Sequence, residues 1–599
     1  MSSSTSPALP PTGLRSSAAV SSRVGSTGSA TSFPRWFRDG HGALAVVVYL
    51  AAILVYDHTA ATHLNTVCGC ALSPDPTQWM WSWVWIPYAI AHGLNPLSTH
   101  LLWAPGPFNL AAATMAPVLA IPGAPLDALF GPVAAWNLLA FSAPVLNGWA
   151  AYRLCRYLSG APWASILAGF TYGFSGYELA HQLAHMNLIW TFAPPLLALI
   201  SLRRLNGEIS RRRAGGLLSV LLVIEFGIST EIFFTMICFT ALALVLGWCL
   251  ADSVVRRRIL EVALVLAVAL AVTVVVWSYY IVLSFQGPQV SKGFPALYPA
   301  DLLSYLFPTN LFRLGRQFFA GLSGSFVTND VTEQNNYLGI GLIVIFFAYA
   351  VSRRGRRDTR LVVLLTAVAF IFSLGTKLTI AGKPTIPMPY ALLAKLPFFD
   401  LLTPSRLGMY VSLGTAVAAA VWIGSASGPR RRVGRWLLGL FAAALLVPNP
   451  AFTNASFNLR ETNFTQPSFF TSGLYRRYLH PGEVVLPLPY AYAEDGLSML
   501  WQADAHMSFA LASGYWGPQA PGDYAANPLV PGLTLGLLPA HAAADLDALA
   551  AAHHITAVLV ADGESPGYLR MLARGGWRLV VNAGGIMVYR HPGPLPAPG

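Results

Sequence analysis

From about residue 43 to residue 450 the chain alternates long apolar runs with short clusters of arginine. Runs such as Ile259 to Leu283, Gly339 to Val351 and Leu361 to Leu374 are nearly free of charge, as helices facing lipid must be. The pattern predicts about eleven membrane spans. They are Ala43 to Tyr56, Pro132 to Arg156, Trp163 to Tyr177, Asn187 to Leu202, Leu217 to Ser229, Ile232 to Leu250, Ile259 to Leu283, Tyr337 to Val351, Leu361 to Leu374, Leu407 to Ile423 and Trp436 to Leu446. Threaded in this order, the arginine clusters at 153–156, 203–213, 256–258, 353–360 and 430–435 all fall on one side. Positive charge stays on the cytoplasmic face, so the N-terminus is inside and the C-terminus outside. Three large external loops follow, at about 57–131, 284–335 and 376–404.

After Pro448 the periodicity becomes that of a soluble domain. Glu483 to Pro487 and Ile555 to Ala561 read as short buried strands, and Ala542 to His553 and Pro566 to Arg574 read as helices. Trp577 to Asn582 and Gly585 to Arg590 flank an Ala-Gly-Gly turn and read as a closing hairpin. The expected plan is a disordered cytoplasmic tail at 1–34, rich in Ser, Ala, Gly and Pro, then a helical polytopic membrane domain at 35–450. A small extracytoplasmic α/β domain at 451–599 completes it.

Composition agrees with a membrane protein and excludes a soluble one: 55% of the 599 residues are hydrophobic and 10% charged, against roughly 25% charged in ordinary soluble domains. The formal charge of +12 does not point to nucleic acid, because the arginines punctuate apolar segments instead of lining one face. Five cysteines are too few for a disulfide framework. Cys155, Cys238 and Cys249 fall in or beside spans as packing residues. Cys68 and Cys70 stand too close in sequence for an easy bridge, and with His63 they make an incomplete metal ligand set.

The first external loop carries the most chemistry. From Ser73 it reads S-P-D-P-T-Q-W-M-W-S-W-V-W-I-P-Y, an aromatic helix suited to the lipid headgroups. Asp75 stands at its entrance, as a helix cap or as a reactive carboxylate. Glu178, His181 and His185 are spaced by three and four residues, which places them on one helical face. That face suits a plain interfacial cluster, a polar substrate contact or a divalent metal. Glu225 and Glu231 lie in or near an apolar span, where ionisable groups are costly and therefore functional candidates.

Several of these features together resemble membrane glycosyltransferases of the GT-C fold, and within them the bacterial YfhO-like proteins. The likeness rests on Asp75 after the first span, then Gln78, the aromatic helix, Gly93-Leu94-Asn95-Pro96-Leu97 and Ala104-Pro105-Gly106. It continues with Glu333 ahead of Asn336-Tyr337-Leu338-Gly339 and with Pro404-Ser405-Arg406, and covers roughly residues 40 to 450. It implies a multi-pass protein of the bacterial plasma membrane. That protein moves a sugar from a polyprenyl-phosphate donor to a glycan, lipid or protein acceptor of the cell envelope. Asp75 inherits the role of general base, with Asp57 at the end of the first span as the competing position. A carboxylate in hydrogen-bond reach of a sugar hydroxyl takes its proton during attack at the anomeric carbon. The departing phosphate needs a cation beside it, for which Arg406 is first choice, followed by Lys377, Lys383 and Lys292. Gln78, Asn95, Glu178, His181, His185, Glu231 and Glu333 are the expected substrate contacts.

Two other readings stay open at this level. Many spans with buried glutamates also suit a transporter or lipid flippase, and the outer domain suits a non-catalytic scaffold for envelope assembly. No Gly-rich phosphate loop for a nucleotide sugar is found on the cytoplasmic side.

Overall fold

The structure is a computed structural model and describes residues 40–71, 73–113, 115–286, 294–327, 330–449, 462–492, 495–516 and 520–593. The tail at 1–34, Lys292 and the junction at 450–461 lie outside the described residues. Residues His41–Gly599 form one compact unit.

A helix occupies each of the eleven apolar segments, with shifted ends. Polar side chains fix several starts: Ser210, Ser229 and Asp252 accept backbone N–H groups at the entrances to Arg211–Ile228, Thr230–Leu250 and Ser253–Val276. The segment expected to begin at Asn187 becomes helical only at Ala193. Trp163 to Tyr177 breaks after Gly173 and resumes as the short helix Gly176–His181. Among the described residues three helices are long and apolar enough to cross a membrane by length and composition: Thr230–Leu250, Ser253–Val276 and Pro404–Gly424. Gly40–Tyr56, Pro117–Phe130 and Gly339–Ser352 are shorter apolar helices.

This helical half buries polar groups within its apolar core and turns apolar side chains outward. Asn137, Asn147, Thr171, Glu178 and Glu225 are buried, while Val55, Val275, Phe347 and Leu437 are more than 60% exposed. Such a surface is stable against lipid and not against water.

The C-terminal part is built on a five-stranded sheet: β1 (Val484–Leu488), β2 (Ala510–Leu511), β3 (Ile555–Ala561), β4 (Arg578–Ala583) and β5 (Ile586–Arg590). The spatial order is β4-β5-β3-β1-β2. β1 runs parallel to both β2 and β3, whereas β5 is antiparallel to β3 and to β4. The hairpin and the helices Ala542–His553 and Pro566–Arg574 stand where the sequence pattern put them. The two-residue β2 and the helices Leu497–Asp504 and Leu529–Leu535 are additions, too short for periodicity to announce.

The sheet shares its core with the first large loop. Trp81, Trp85, Leu102 and Trp103 pack in one apolar cluster with Leu486, Phe509 and Val558. Trp81 Nε1 donates to Gln502 Oε1 at 2.7 Å, and Trp516 Nε1 donates to the Leu110 carbonyl at 2.8 Å. Val67 and Cys68 pair as a short antiparallel ladder with Asn463 and Thr462.

Cys68 and Cys70 are joined as a disulfide, contrary to expectation. One intervening residue suffices when the chain bends enough to leave the Cα atoms 5.1 Å apart, a separation ordinary for disulfides. Their sulfurs are thus bonded to each other and are not thiolate partners for His63.

Candidate active site

The helix Pro74–Ala91 positions Asp75. Ser73 caps it, its hydroxyl accepting from the Asp75 N–H, with Pro74 in the first turn. The capping role that Asp75 could have filled therefore belongs to Ser73. Being in the first turn, the Asp75 carboxylate sits at the positive end of the helix dipole. Its Oδ1 accepts a 2.9 Å hydrogen bond from the Tyr515 hydroxyl, and its Oδ2 lies 3.7 Å from His185 Nε2. Burial and the adjacent Asp75 carboxylate hold the Tyr515 phenol well above its usual pKa, so it stays a donor.

A chain of charged groups continues inward from there. His185 Nε2 is 3.7 Å from Glu333 Oε1, and His181 Nε2 is 3.4 Å from Glu333 Oε2. Arg406 grips Glu333 through Nε and Nη2 and holds Glu231 through Nη1, the Nε contact being 2.9 Å. Glu231 also accepts from the Thr403 N–H at 3.2 Å. Burial alone would raise the Glu333 pKa, but Arg406 and His181 outweigh it and hold the carboxyl well below the usual range. For His181 burial dominates and lowers the pKa against the pull of Glu333.

These residues come from distant segments that close packing brings together. Gly408, just after Arg406, lies so near Asn336 that a Cβ would overlap the Asn336 Oδ1. The Glu333 and Arg406 motifs are thereby locked side by side.

Other expected site residues lie elsewhere. Glu178 does not share a face with the two histidines in use: it turns inward, accepting from Asn147 Nδ2 at 2.9 Å and from the Thr191 hydroxyl. The helix ends at His181, but the His185 N–H bonds the His181 carbonyl at 2.8 Å and continues its turn, so the two histidines keep one face while Glu178 is drawn to Asn147 and Thr191. Asp57 is buried and accepts from Gln182 Nε2 at 2.6 Å. Gln78 is buried one turn beyond Asp75. Asn95 is exposed and structural, bonding Tyr279 and the Leu97 N–H. Lys377 and Lys383 are exposed on a hairpin, Lys377–Ile380 with Lys383–Pro387. Glu225 is fully buried, and neither carboxyl oxygen has a hydrogen-bond partner among the described residues. Tyr515 was not singled out in the sequence, since nothing local marks a tyrosine 440 positions from its partner.

One nitrogen from each of His181 and His185 and one Glu333 oxygen lie within 4.8 Å of one another. Such a set fits a divalent metal of the zinc or manganese kind. The His181 Nδ1–H donates to the Tyr177 carbonyl at 2.9 Å, which turns the Nε2 lone pair toward Glu333. Arg406 competes for the same carboxylate.

The architecture is similar to that of the arabinofuranosyltransferase AftD from Mycobacteria, with a TM-score of 0.56, 15% identity and 94% of this chain covered. The match takes in 40% of AftD, so this chain spans about two fifths of that protein's length. Weaker likenesses join it to the oligosaccharyltransferase AglB from Archaeoglobus fulgidus, in complex with an inhibitory peptide and a dolichol-phosphate, and to ArnT from Cupriavidus metallidurans, bound to undecaprenyl phosphate. AglB matches with a TM-score of 0.49 and 13% identity, over 93% of this chain and 75% of AglB. ArnT matches with a TM-score of 0.44 and 12% identity, over 93% of this chain and 98% of ArnT. The fold is GT-C. No curated protein matches the sequence. Residues 43–447, well over half of the chain, match the family described as Domain of unknown function (DUF6311), and the chain belongs to that family.

Proposed function

We propose that this protein is a membrane glycosyltransferase that moves a sugar from a polyprenyl-phosphate-linked donor to an acceptor of the cell envelope, on the extracytoplasmic face of a bacterial plasma membrane. In this reading residues 35–450 span the bilayer and residues 451–599 lie outside it. The observation that carries the proposal is the Asp75 carboxylate, oriented by Tyr515 and set 3.7 Å from His185 at the end of a buried ion network. Oδ1 is occupied by the tyrosine, while Oδ2, which takes a long 3.4 Å contact from the Ser73 hydroxyl and faces His185, is the oxygen placed to accept the proton of an incoming hydroxyl. Asp57 suits the task less well, because it is buried against Gln182.

Arg406 is the cation of the network, and a donor phosphate reaching it displaces Glu231 or Glu333 from the guanidinium. The cavity touching Arg406 and Glu231 holds about 10 Å³, room for roughly one water, so phosphate entry requires that rearrangement. Lys377 and Lys383 are the exposed alternatives. A divalent metal between His181, His185 and Glu333 would add positive charge for the leaving phosphate.

The test is transfer of labelled sugar from synthetic polyprenyl-phosphate donors in vesicles, wild type against Asp75→Asn and Asp57→Asn. Loss with Asp75→Asn alone is expected. Full activity of that variant removes Asp75 as the base, and no transfer by the wild type from any such donor removes the reaction. Chelation followed by metal add-back reads out the histidine pair in the same assay.

A further inference from the structure

A second cavity lies in the C-terminal sheet, lined by none of the residues of this network. It measures about 470 Å³, inside the roughly 300–1,000 Å³ range of small-molecule sites. Its walls are Tyr490 just past the end of β1, Asp495, Tyr568, and the helix end Leu533, Thr534 and Gly536.

The topology explains why a cavity forms there. β1 is the middle parallel strand: the chain leaves its carboxyl end for β2 on one side, and β3 sits on the other side and sends the chain on toward β4. Connections therefore diverge from the carboxyl ends of β1 and β3. In sheets of this kind such a switch point opens a crevice, and ligands bind in it.

The lining specifies the ligand chemistry. Two tyrosine rings are held in place by their own hydroxyls, Tyr490 donating to the Ala512 carbonyl at 3.1 Å and Tyr568 to the Leu533 carbonyl at 3.2 Å. Asp495 Oδ1 accepts from the Leu497 N–H at 2.7 Å, and the Thr534 hydroxyl donates to the Val530 carbonyl at 2.9 Å. What faces a ligand is thus acceptor capacity, from Asp495 and Thr534, between fixed aromatic faces. Among the described residues no lysine or arginine lines the cavity, which selects against phosphates and other anions. Burial and nearby Glu564 push the Asp495 carboxyl up to about 6, reinforcing the demand for hydroxyl donors over anions.

The same loop reaches the candidate active site. Gly496, next to Asp495, packs so tightly on Thr77 and Pro74 that a Cβ there would overlap the Thr77 hydroxyl. Asp495 in the cavity and the first turn of the Asp75 helix are therefore neighbours through one residue.

We infer that this cavity binds an uncharged sugar ring through Asp495, Thr534, Tyr490 and Tyr568, as a distal subsite for the acceptor glycan. The acceptor role rests on the transferase reading; the sugar binding does not. Full-length protein in nanodiscs, titrated calorimetrically with methyl β-D-glucopyranoside, methyl α-D-mannopyranoside and methyl α-D-arabinofuranoside, tests it. At least one glycoside is expected to bind saturably. Asp495→Ala and the cavity-filling Thr534→Phe are expected to weaken binding at least tenfold at unchanged Tm, while Asp75→Asn binds as the wild type does. If one variant melts early, the other decides. Failure of all three glycosides to saturate, or wild-type binding by both cavity variants, overturns the inference. Binding lost in Asp75→Asn but kept in Asp495→Ala and Thr534→Phe places the sugar in the helical half, which overturns the subsite and leaves the transferase reading standing.

Discussion

Both halves of this molecule bury apolar side chains, but the helical half also encloses ionisable ones and turns apolar ones outward. Around β1 and β3 the interior is ordinary and apolar: Val485, Leu486, Val558, Leu559 and Val560 are fully enclosed. Inside the helices the buried set includes Glu178, Glu225, Glu333, His181 and Asn147, while valines and phenylalanines face outward. Water drives the first arrangement. The second makes sense only in a solvent as apolar as the side chains turned toward it. The contrast teaches where chemistry can sit. Paired charges gather at the seam, where Tyr515 from the sheet half reaches Asp75 from the helical half.

Variants that break one half and spare the other sharpen this comparison. The largest effect is expected from Asp75→Asn, which removes the proposed base without disturbing either core: transfer falls by about 10²–10⁴-fold at an unchanged Tm, read in the vesicle assay. Arg406→Ala strands Glu231 and Glu333 without their cation, and loss of one partner of a buried pair costs about 3–5 kcal/mol. Thermal unfolding of the helical half should register it, and a variant as stable as wild type would show that the network is wet. In the sheet half, Leu559→Ala leaves a cavity and costs about 2–5 kcal/mol, seen as early melting with little change in turnover per folded molecule.

Tyr515→Phe tests the seam itself. It deletes one hydrogen bond to a carboxylate, worth about 1.5–3 kcal/mol, and should slow transfer roughly tenfold in the vesicle assay. A variant that transfers as the wild type does would make Tyr515 structural only.

The smallest effect concerns two acids on opposite sides of the seam. Burial raises Asp127 to about 6, and burial with the charge of Asp127 raises Asp504 to about 7. A carboxyl whose folded pKa exceeds its unfolded one costs stability once pH climbs from the unfolded value through the folded one. Asp504→Asn is therefore expected to raise Tm by a few degrees at pH 8 and by nothing measurable at pH 4. Equal gains at both would separate the effect from titration.

Several features were legible in the sequence for a shared reason: they are local. The apolar runs predicted helices because a lipid-facing helix satisfies its backbone internally and announces itself in composition. The Ala-Gly-Gly turn between two alternating segments announced the β4–β5 hairpin, whose register pairs Arg578 with Arg590. Asp75, His181, His185, Glu333 and Arg406 stood out one by one, because charge is conspicuous in so apolar a chain.

What the sequence could not supply was adjacency. Glu178 has the same spacing to His181 that its face suggested, yet it turns to Asn147 and Thr191, partners 31 and 13 residues away that no local spacing reports. Cys68 and Cys70 close on each other through a bend that no spacing rule reports. By itself, then, the chain determined its solvent: apolar helices punctuated by arginine clusters, and a mixed sheet after residue 480. Only the tertiary structure decided which charges meet. The pairing of Glu333 with Arg406, and of Asp75 with Tyr515, depends on contacts 73 and 440 residues apart. Packing fixes those contacts, and packing is a property of all the neighbours at once.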